Sequence, residues 1–323
     1  MNYSPDFVIQ VNKVFHDVDK NAYESKHPEI FDEEIIRWQT IGEKFLKKRS
    51  LTLLDIGTGT GFVHLQIEKF LKKGDTIICS DISEEIMNVH KKRITNKAIP
   101  YEVLFLKLDG RRIPLDSSSL DVVTMNSVLH HIPNINQILR EINRVLRLGG
   151  LLVIAHEPNK SYYGNKTLLA AYILSSFFFN PRQIAVELSM VMRIFEPVRQ
   201  IVGRYDPEVH NYNSIVSEVN KRLLNDTIIE KPLTAAELTR IVDIHSPGAG
   251  GTYKNRGIDP QKVIRDNLSN YLVEHFETYG HLRLTSQKNS STKKIDAILK
   301  SKFPNDGSLF ALVAKKISVE KNG

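Results

Sequence analysis

The stretch Leu51-Thr52-Leu53-Leu54-Asp55-Ile56-Gly57-Thr58-Gly59-Thr60-Gly61 decides the fold. Residues 51–56 form a short apolar run of the kind buried in a sheet. The run ends on an acid and on glycines at every second position. Glycine is needed where backbone passes close to a ligand, partly with positive φ. A helix pattern follows, with Val63, Ile67, Phe70 and Leu71 on one face, and Gly74 stops it. Strand, glycine turn and helix in that order open an α/β unit.

The same alternation continues to residue 157. Thr76–Ser80 reads as a second strand. Ser83 caps the next helix, with Glu84 and Glu85 at its positive end. Val103–Leu106 is a third strand and Leu120–Met125 a fourth. Asn134 opens a helix with Gln137 three residues on, as in a capping box, and Ile138, Leu139, Ile142, Val145 and Leu146 form its apolar face. Gly149-Gly150 is expected to end that helix, and Leu151–Ala155 to be the fifth strand. Strands alternating with helices at this spacing specify an α/β, doubly wound, mostly parallel sheet covered on both faces.

The flanks differ. Residues 1–50 read as a helical N-terminal cap and 51–158 as the core. Residues 159–232 read as a helical lid that includes the apolar run Leu168–Phe179, and 233–323 return to the core sheet. Thr234 begins a helix through Ile241, 246–252 is a glycine-rich loop, and 284–294 reads as an exposed polar loop. Tyr271–Phe276 and Ser308–Val313 close the chain as a strand pair. The run 168–179 is shorter than the roughly 20 residues a bilayer span needs, so it packs in the lid or touches a membrane surface.

Glycine spacing separates the candidate cofactors. A dinucleotide turn wants its third glycine at position 62, where this chain has Phe62, and no Gly-Lys-Ser/Thr follows for a phosphate-cradling loop. Asp55 repels a pyrophosphate but suits a cationic amino group. Asp81 ends the second strand, where a carboxylate accepts the hydroxyls of a ribose. Ile82 beside it suits an adenine face. Asp109-Gly110 follows the third strand, near an adenine amino group, and Asn126 ends the fourth, near the amino-acid end. An amino acid joined to a nucleoside, such as S-adenosylmethionine, fits this set.

Six segments in order carry a resemblance: Leu54–Gly61, Ser80-Asp-Ile-Ser83, Leu108-Asp109 with Ile113-Pro114, Leu120–Val123, Val128-Leu-His-His-Ile132, and Glu141-x-x-Arg-Val-Leu-Arg-x-Gly-Gly150. They resemble the core of class I S-adenosylmethionine-dependent methyltransferases, in the small-molecule branch typified by quinone-biosynthesis enzymes. The resemblance covers Leu53–Pro158, about a third of the chain. It implies a seven-stranded sheet whose last strand is antiparallel, and cofactor contacts from Asp55, Gly57, Gly59, Asp81, Ile82, Asp109 and Asn126; Thr58, Gly61 and Gly110 in the same turns complete the assigned cofactor-binding set. More loosely, Phe15-His-Asp with Ala22-Tyr23 resembles the helical cap of that branch.

Composition narrows the function further. The 44 basic and 37 acidic residues leave a net charge of +7, spread as short lysine pairs rather than as a nucleic-acid groove. Cys79 is the only cysteine, which excludes a disulfide framework and a cysteine-based zinc site and fits the cytoplasm. No metal ligands are assigned, the N-terminus does not read as a signal peptide, and the oligomeric state stays open. Methyl transfer from a sulfonium relies on positioning, with a general base only where the acceptor must lose a proton. His130, His131 and His156 follow the fourth and fifth strands, with His16 and His281 further away, and His131 is the assigned catalytic residue. Asn126-Ser-Val-Leu129 lacks the Pro-Pro-aromatic pattern of adenine-amino methylation, and Cys79 lies in the wrong strand for cytosine chemistry. The apolar lid points to a small hydrophobic or aromatic acceptor. RNA or protein methylation, and a non-catalytic S-adenosylmethionine-binding role, are the alternatives.

Overall fold

The computed structural model describes residues 3–20, 28–47, 50–179, 207–245, 257–282 and 290–318. Helices α1 (Pro5–Asp19) and α2 (Pro28–Ile41) come first, and α2 runs into a π-helical turn at Gly42–Leu46. The core then alternates β1 (Thr52–Ile56), α3 (Phe62–Ile67), β2 (Thr76–Asp81), α4 (Glu84–Ile94), β3 (Glu102–Lys107), β4 (Leu120–Asn126), α5 (Ile135–Val145) and β5 (Leu146–Pro158). After it come α6 (Lys160–Gly164), α7 (Lys166–Phe179), α8 (Pro207–Asn225), α9 (Ala235–Val242), α10 (Pro260–Asn267), β6 (Tyr271–Tyr279), α11 (Ser290–Lys302) and β7 (Leu309–Lys316).

The strands form one seven-stranded sheet in the order β3-β2-β1-β4-β5-β7-β6. β1 is parallel to β2 and β4, β2 to β3, and β4 to β5. β7 runs the other way. Its first residues meet the end of β5, where the Asn159 N–H donates to the Ser308 carbonyl, and the Lys316 ammonium near its end donates to the Leu146 carbonyl. Two further bonds, Ser308 N–H to Gly280 carbonyl and Ile317 N–H to Asn270 carbonyl, set β6 antiparallel to β7. Strand order reverses between β1 and β4, so a crevice opens beyond their carboxyl ends, where ligands of open α/β sheets bind.

Capping explains where several helices start. Ser83 accepts from the Ile86 N–H and Asn134 from the Gln137 N–H. Thr234 and Glu237 form a full capping box, and Asp259 caps α10 ahead of Pro260. The Gln137 amide does not complete a box at Asn134; it donates to the Arg111 carbonyl.

Three expectations are corrected. α5 ends at Val145, ahead of the glycine pair, and β5 begins at Leu146. Leu146 already pairs with Leu120 of β4, a register shift follows, and Gly149, at φ +79°, takes up the irregularity inside the strand. Residues 290–294 are the first residues of α11, with Thr292 buried, rather than an exposed loop. The other expectations there, at 284–289 and 246–252, lie outside the described residues, as do Ala22 and Tyr23.

The chain divides into two units. One comprises Met1–Val18, Pro158–Ile258 and Thr278–Leu309, the other Asp19–Glu157, Asp259–Glu277 and Phe310–Gly323. In the first, α1 joins the helices that follow the core: the Asn12 amide donates to the Val8 and Ile241 carbonyls. Asn220 of α8 brackets Leu233 through both its amide atoms. Tyr162, Tyr163, Leu168, Leu282 and Leu299 form an apolar cluster in the same unit. In the second, Leu53, Leu54, Val122, Val123, Leu152 and Val153 are fully buried within β1, β4 and β5. Among the described residues, no helix is long and apolar enough to cross a membrane.

Candidate active site

The site is built on the turn after β1. Gly57, Gly59 and Gly61 all have positive φ, at 68°, 52° and 93°. A Cβ on Gly57 would lie 2.3 Å from the Val128 side chain, so glycine there lets the turns after β1 and β4 pack together. Gly59 differs: a Cβ would meet only Ile86, at 3.9 Å, leaving room above the turn. The Thr58 N–H donates to the Ser80 carbonyl and the Ser80 hydroxyl to the Asp55 carbonyl, fastening the turn to β2.

Asp55 sits at the base of this turn, only 1% exposed. The Thr124 hydroxyl of β4 donates to its Oδ1 at 2.7 Å, while Oδ2 and the nearby Thr58 hydroxyl have no hydrogen-bond partner. Burial raises the Asp55 carboxyl to about 7. Thr124, and more weakly Thr58, which is not aligned for a full bond, pull it down, and the Asp81 charge adds to the rise. A buried, half-satisfied carboxyl beside an open glycine fits a ligand that brings positive charge. Both unpaired atoms are closed to solvent, so that charge acts on Asp55 across the turn.

Asp81 ends β2 and is nearly buried. Its Oδ2 accepts from the Gly59 N–H and its Oδ1 from the Ser83 N–H, both at 3.0 Å. The carboxylate thus joins the glycine turn to the start of α4. Ile82 beside it is half-buried.

Asp109 and Gly110 follow β3, just after the Leu108 N–H that donates to the Asp81 carbonyl. Asp109 accepts from the Arg111 N–H at 3.0 Å and from its Nε at 2.8 Å. Burial raises the Asp109 carboxyl somewhat, but the Arg111 bonds and charge outweigh it and hold the group below the usual carboxylate range. Arg111 therefore already engages Asp109. Gly110, at φ +76°, faces Ile132. Asn126 ends β4, and the indole N–H of the fully buried Trp38 in α2 donates to its Oδ1 at 2.8 Å.

The turn after β4 is held by a residue the sequence reading passed over. Glu157, fully buried at the end of β5, accepts at Oε1 from the Val128 and Leu129 N–H groups, both at 2.7 Å. At Oε2 it accepts from the His130 N–H at 3.1 Å and from His130 Nδ1 at 2.8 Å. Burial pushes its carboxyl up, but His130 and the N–H groups together hold it below the ordinary value. Glu157 was legible by the rule that picks out Asp81, an acid just after an apolar strand. His131, half-buried, lies against His130 with ring centroids 4.0 Å apart and the rings tilted by 43°.

His156 takes φ +58°, a left-handed conformation costly for a side-chain residue and clustered at functional sites. Its Nδ1 stands 3.2 Å from Glu34 Oε1. Glu34 also pairs with Arg37, whose Nε donates to Glu277 at 2.7 Å. His281 belongs to the other unit, where its Nε2 meets the Phe303 carbonyl, and burial lowers its pKa. Cys79 is buried in β2, and burial pushes its thiol far up, which removes it as a nucleophile.

Residues 54–154 match the family model described as a methyltransferase domain. The ubiquinone/menaquinone biosynthesis C-methyltransferase UbiE of Azotobacter vinelandii is 28% identical over 134 residues, 42% of this chain and 52% of that protein. Its counterpart in Ectopseudomonas mendocina is 30% identical over 129 residues, 40% of this chain and 49% of that protein. The chain spans about half the length of the curated relatives it matches. The solved S-adenosylmethionine-dependent methyltransferase of Mesorhizobium loti is 12% identical and covers 87% of this chain and 97% of its own, with a TM-score of 0.46.

Proposed function

We propose that this chain, whose residues 54–154 form a methyltransferase domain of the class I S-adenosylmethionine-dependent kind, methylates a small hydrophobic or aromatic molecule in the cytoplasm. The observation that carries the reading is Asp55: a buried, half-satisfied carboxyl at the switch point of the sheet, raised to about 7, beside a glycine turn with room above it.

S-adenosylmethionine supplies a methyl group on a sulfonium; the S–CH3 bond breaks as the acceptor–CH3 bond forms, leaving S-adenosylhomocysteine and, from a protonated acceptor, one proton. The chain's residues bind and orient. Asp55 favours the positive amino-acid end. Asp81, at the carboxyl end of β2, accepts from the ribose hydroxyls, and Ile82 offers an apolar face to adenine. Gly57, Thr58, Gly59 and Gly61 shape the turn, Asp109 and Gly110 border the base, and Asn126, steadied by Trp38, borders the reacting end. His131 takes the acceptor's proton, on a turn that Glu157 holds in place.

The acceptor class rests on the apolar content of the segment after the core and on the relatives, whose printed role is carbon methylation in quinone biosynthesis. A ring-bearing quinol is therefore the first acceptor to try. The test is calorimetry with S-adenosylmethionine, followed by transfer of a labelled methyl group to a panel of apolar ring compounds, RNA and protein. Lack of cofactor binding at millimolar concentration sinks the reading. Transfer to RNA or protein but to no small molecule sinks its acceptor half.

A further inference from the structure

Against the glycine turn lies a polar cluster to which the chemistry above assigns no role. His64 of α3 and His90 of α4 are fully buried, and Tyr101, just before β3, is nearly so. His64 Nδ1 and His90 Nε2 stand 2.8 Å apart, and His64 Nε2 is 2.9 Å from the Tyr101 hydroxyl. The His90 ring meets Phe105 of β3 edge-on. Burial lowers the His64 pKa to about 4 and that of His90 to about 3, so both rings are neutral at physiological pH.

Proton accounting fixes the direction of this chain. Each neutral imidazole carries one N–H, and His90 Nδ1 has no partner. If His64 donated to His90, the His90 proton would sit on Nδ1, a buried donor with nothing to receive it. If His90 donates from Nε2, His64 carries its proton on Nε2 and donates to Tyr101; His90 Nδ1 is then a bare lone pair, and the remaining proton is that of the Tyr101 hydroxyl, a rotor on a residue 8% exposed that can turn where a ring N–H of the fully buried His90 cannot. Orphaned buried N–H groups are rarer than under-used acceptors, so the second arrangement holds: His90 to His64 to Tyr101.

The first member, His90, touches the cofactor turn. A Cβ on Gly61 would lie 2.2 Å from His90 Cδ2, so the ring is flush against the turn where α3 begins. We propose that His90 is a positioning residue: held through His64 to Tyr101, its ring is a fixed stop that sets the Asp55–Gly61 turn at the height its cofactor needs. The inference rests on the reading that this turn binds S-adenosylmethionine. Cys79 Sγ also lies within 4.8 Å of both imidazoles, so a metal ion is the rival occupant. Two nitrogens on one tetrahedral zinc stand roughly 3.3 Å apart, whereas 2.8 Å is a hydrogen-bond distance.

The test compares S-adenosylmethionine affinity in the wild type, His90→Phe and His90→Gln. Phenylalanine keeps the ring but not the donor; glutamine restores an N–H toward His64. His90→Phe is expected to weaken binding about tenfold, with the loss falling more on KM for S-adenosylmethionine than on kcat, and His90→Gln to recover part of it. A folded His90→Phe protein that binds within about twofold of wild type overturns this inference alone. No binding by the wild type overturns the methyl-transfer reading and this one with it. Should His90→Phe not fold, the imidazole 15N spectrum of the wild type decides: Nε2–H on both rings supports the relay, and Nδ1–H on either overturns it. Stoichiometric zinc or copper in the purified wild type, lost in His90→Gln, also overturns it.

Discussion

Asp55 and Glu157 are both buried carboxyls at the ends of parallel strands of one sheet, yet their surroundings drive them in opposite directions. Glu157 receives four hydrogen bonds, three from successive backbone N–H groups and one from His130, and stays ionised despite complete burial. Asp55 receives one, from Thr124, and burial lifts it to about 7. The difference separates two uses of a buried acid. A carboxylate whose lone pairs are filled by its own backbone is scaffolding: it fixes a turn and has little left for a ligand. One left half-filled waits for charge from outside, and its protonation answers to what binds.

The largest test of this contrast is Glu157→Ala. It strands the N–H groups of Val128, Leu129 and His130 and should cost roughly 3–5 kcal/mol of stability, read by denaturant unfolding; a loss under about 1 kcal/mol would remove the scaffolding role. Next is His131→Ala, on the turn that Glu157 holds. It should lower kcat by roughly a hundredfold with cofactor affinity little changed, measured by single-turnover transfer and calorimetry. Asp81→Ala should weaken S-adenosylmethionine binding by about tenfold or more; an unchanged titration would take Asp81 out of the site.

The smallest effect is the most specific to Asp55. Its folded pKa, about 7, lies above the ordinary 3.8. Its contribution to stability is therefore complete below 3.8 and lost as pH rises through about 7. A cationic ligand favours the ionised form, so affinity for S-adenosylmethionine should rise between pH 6 and 8, by at most about tenfold per unit, with proton release on binding. Asp55→Asn should flatten that profile and stabilise the ligand-free protein at pH 8 relative to wild type. A wild-type profile as flat as the variant's would show that binding is not linked to a proton on Asp55 between pH 6 and 8.

Where chemistry lies in consecutive residues, the sequence was legible. The glycine turn, the acid ending β2 and the caps at Ser83 and Thr234 all combine a local pattern with a local cause. The start of β5 was not, because Leu146-Arg-Leu-Gly-Gly150 pairs with β4 through a register shift that only the neighbouring strand dictates. Glu157 was readable but lay between a histidine and a proline that drew the eye to catalysis and chain reversal. The partners of Asp81 and Asp109 were not: a carboxylate at a strand end looks the same whether its neighbours are a ligand, an amide or an arginine. The His64, His90 and Tyr101 relay could not be seen, since three residues 26 and 11 positions apart meet only once α3, α4 and the approach to β3 are packed.

The bond between Trp38 and Asn126 gives the protein an optical handle. Trp38 is its only tryptophan, so intrinsic fluorescence excited at the red edge comes from one indole, buried away from water and donating to the last residue of β4. Its emission maximum and lifetime therefore register the state of that one hydrogen bond. Whatever displaces Asn126 is recorded as a change of colour, without a dye and without a substitution.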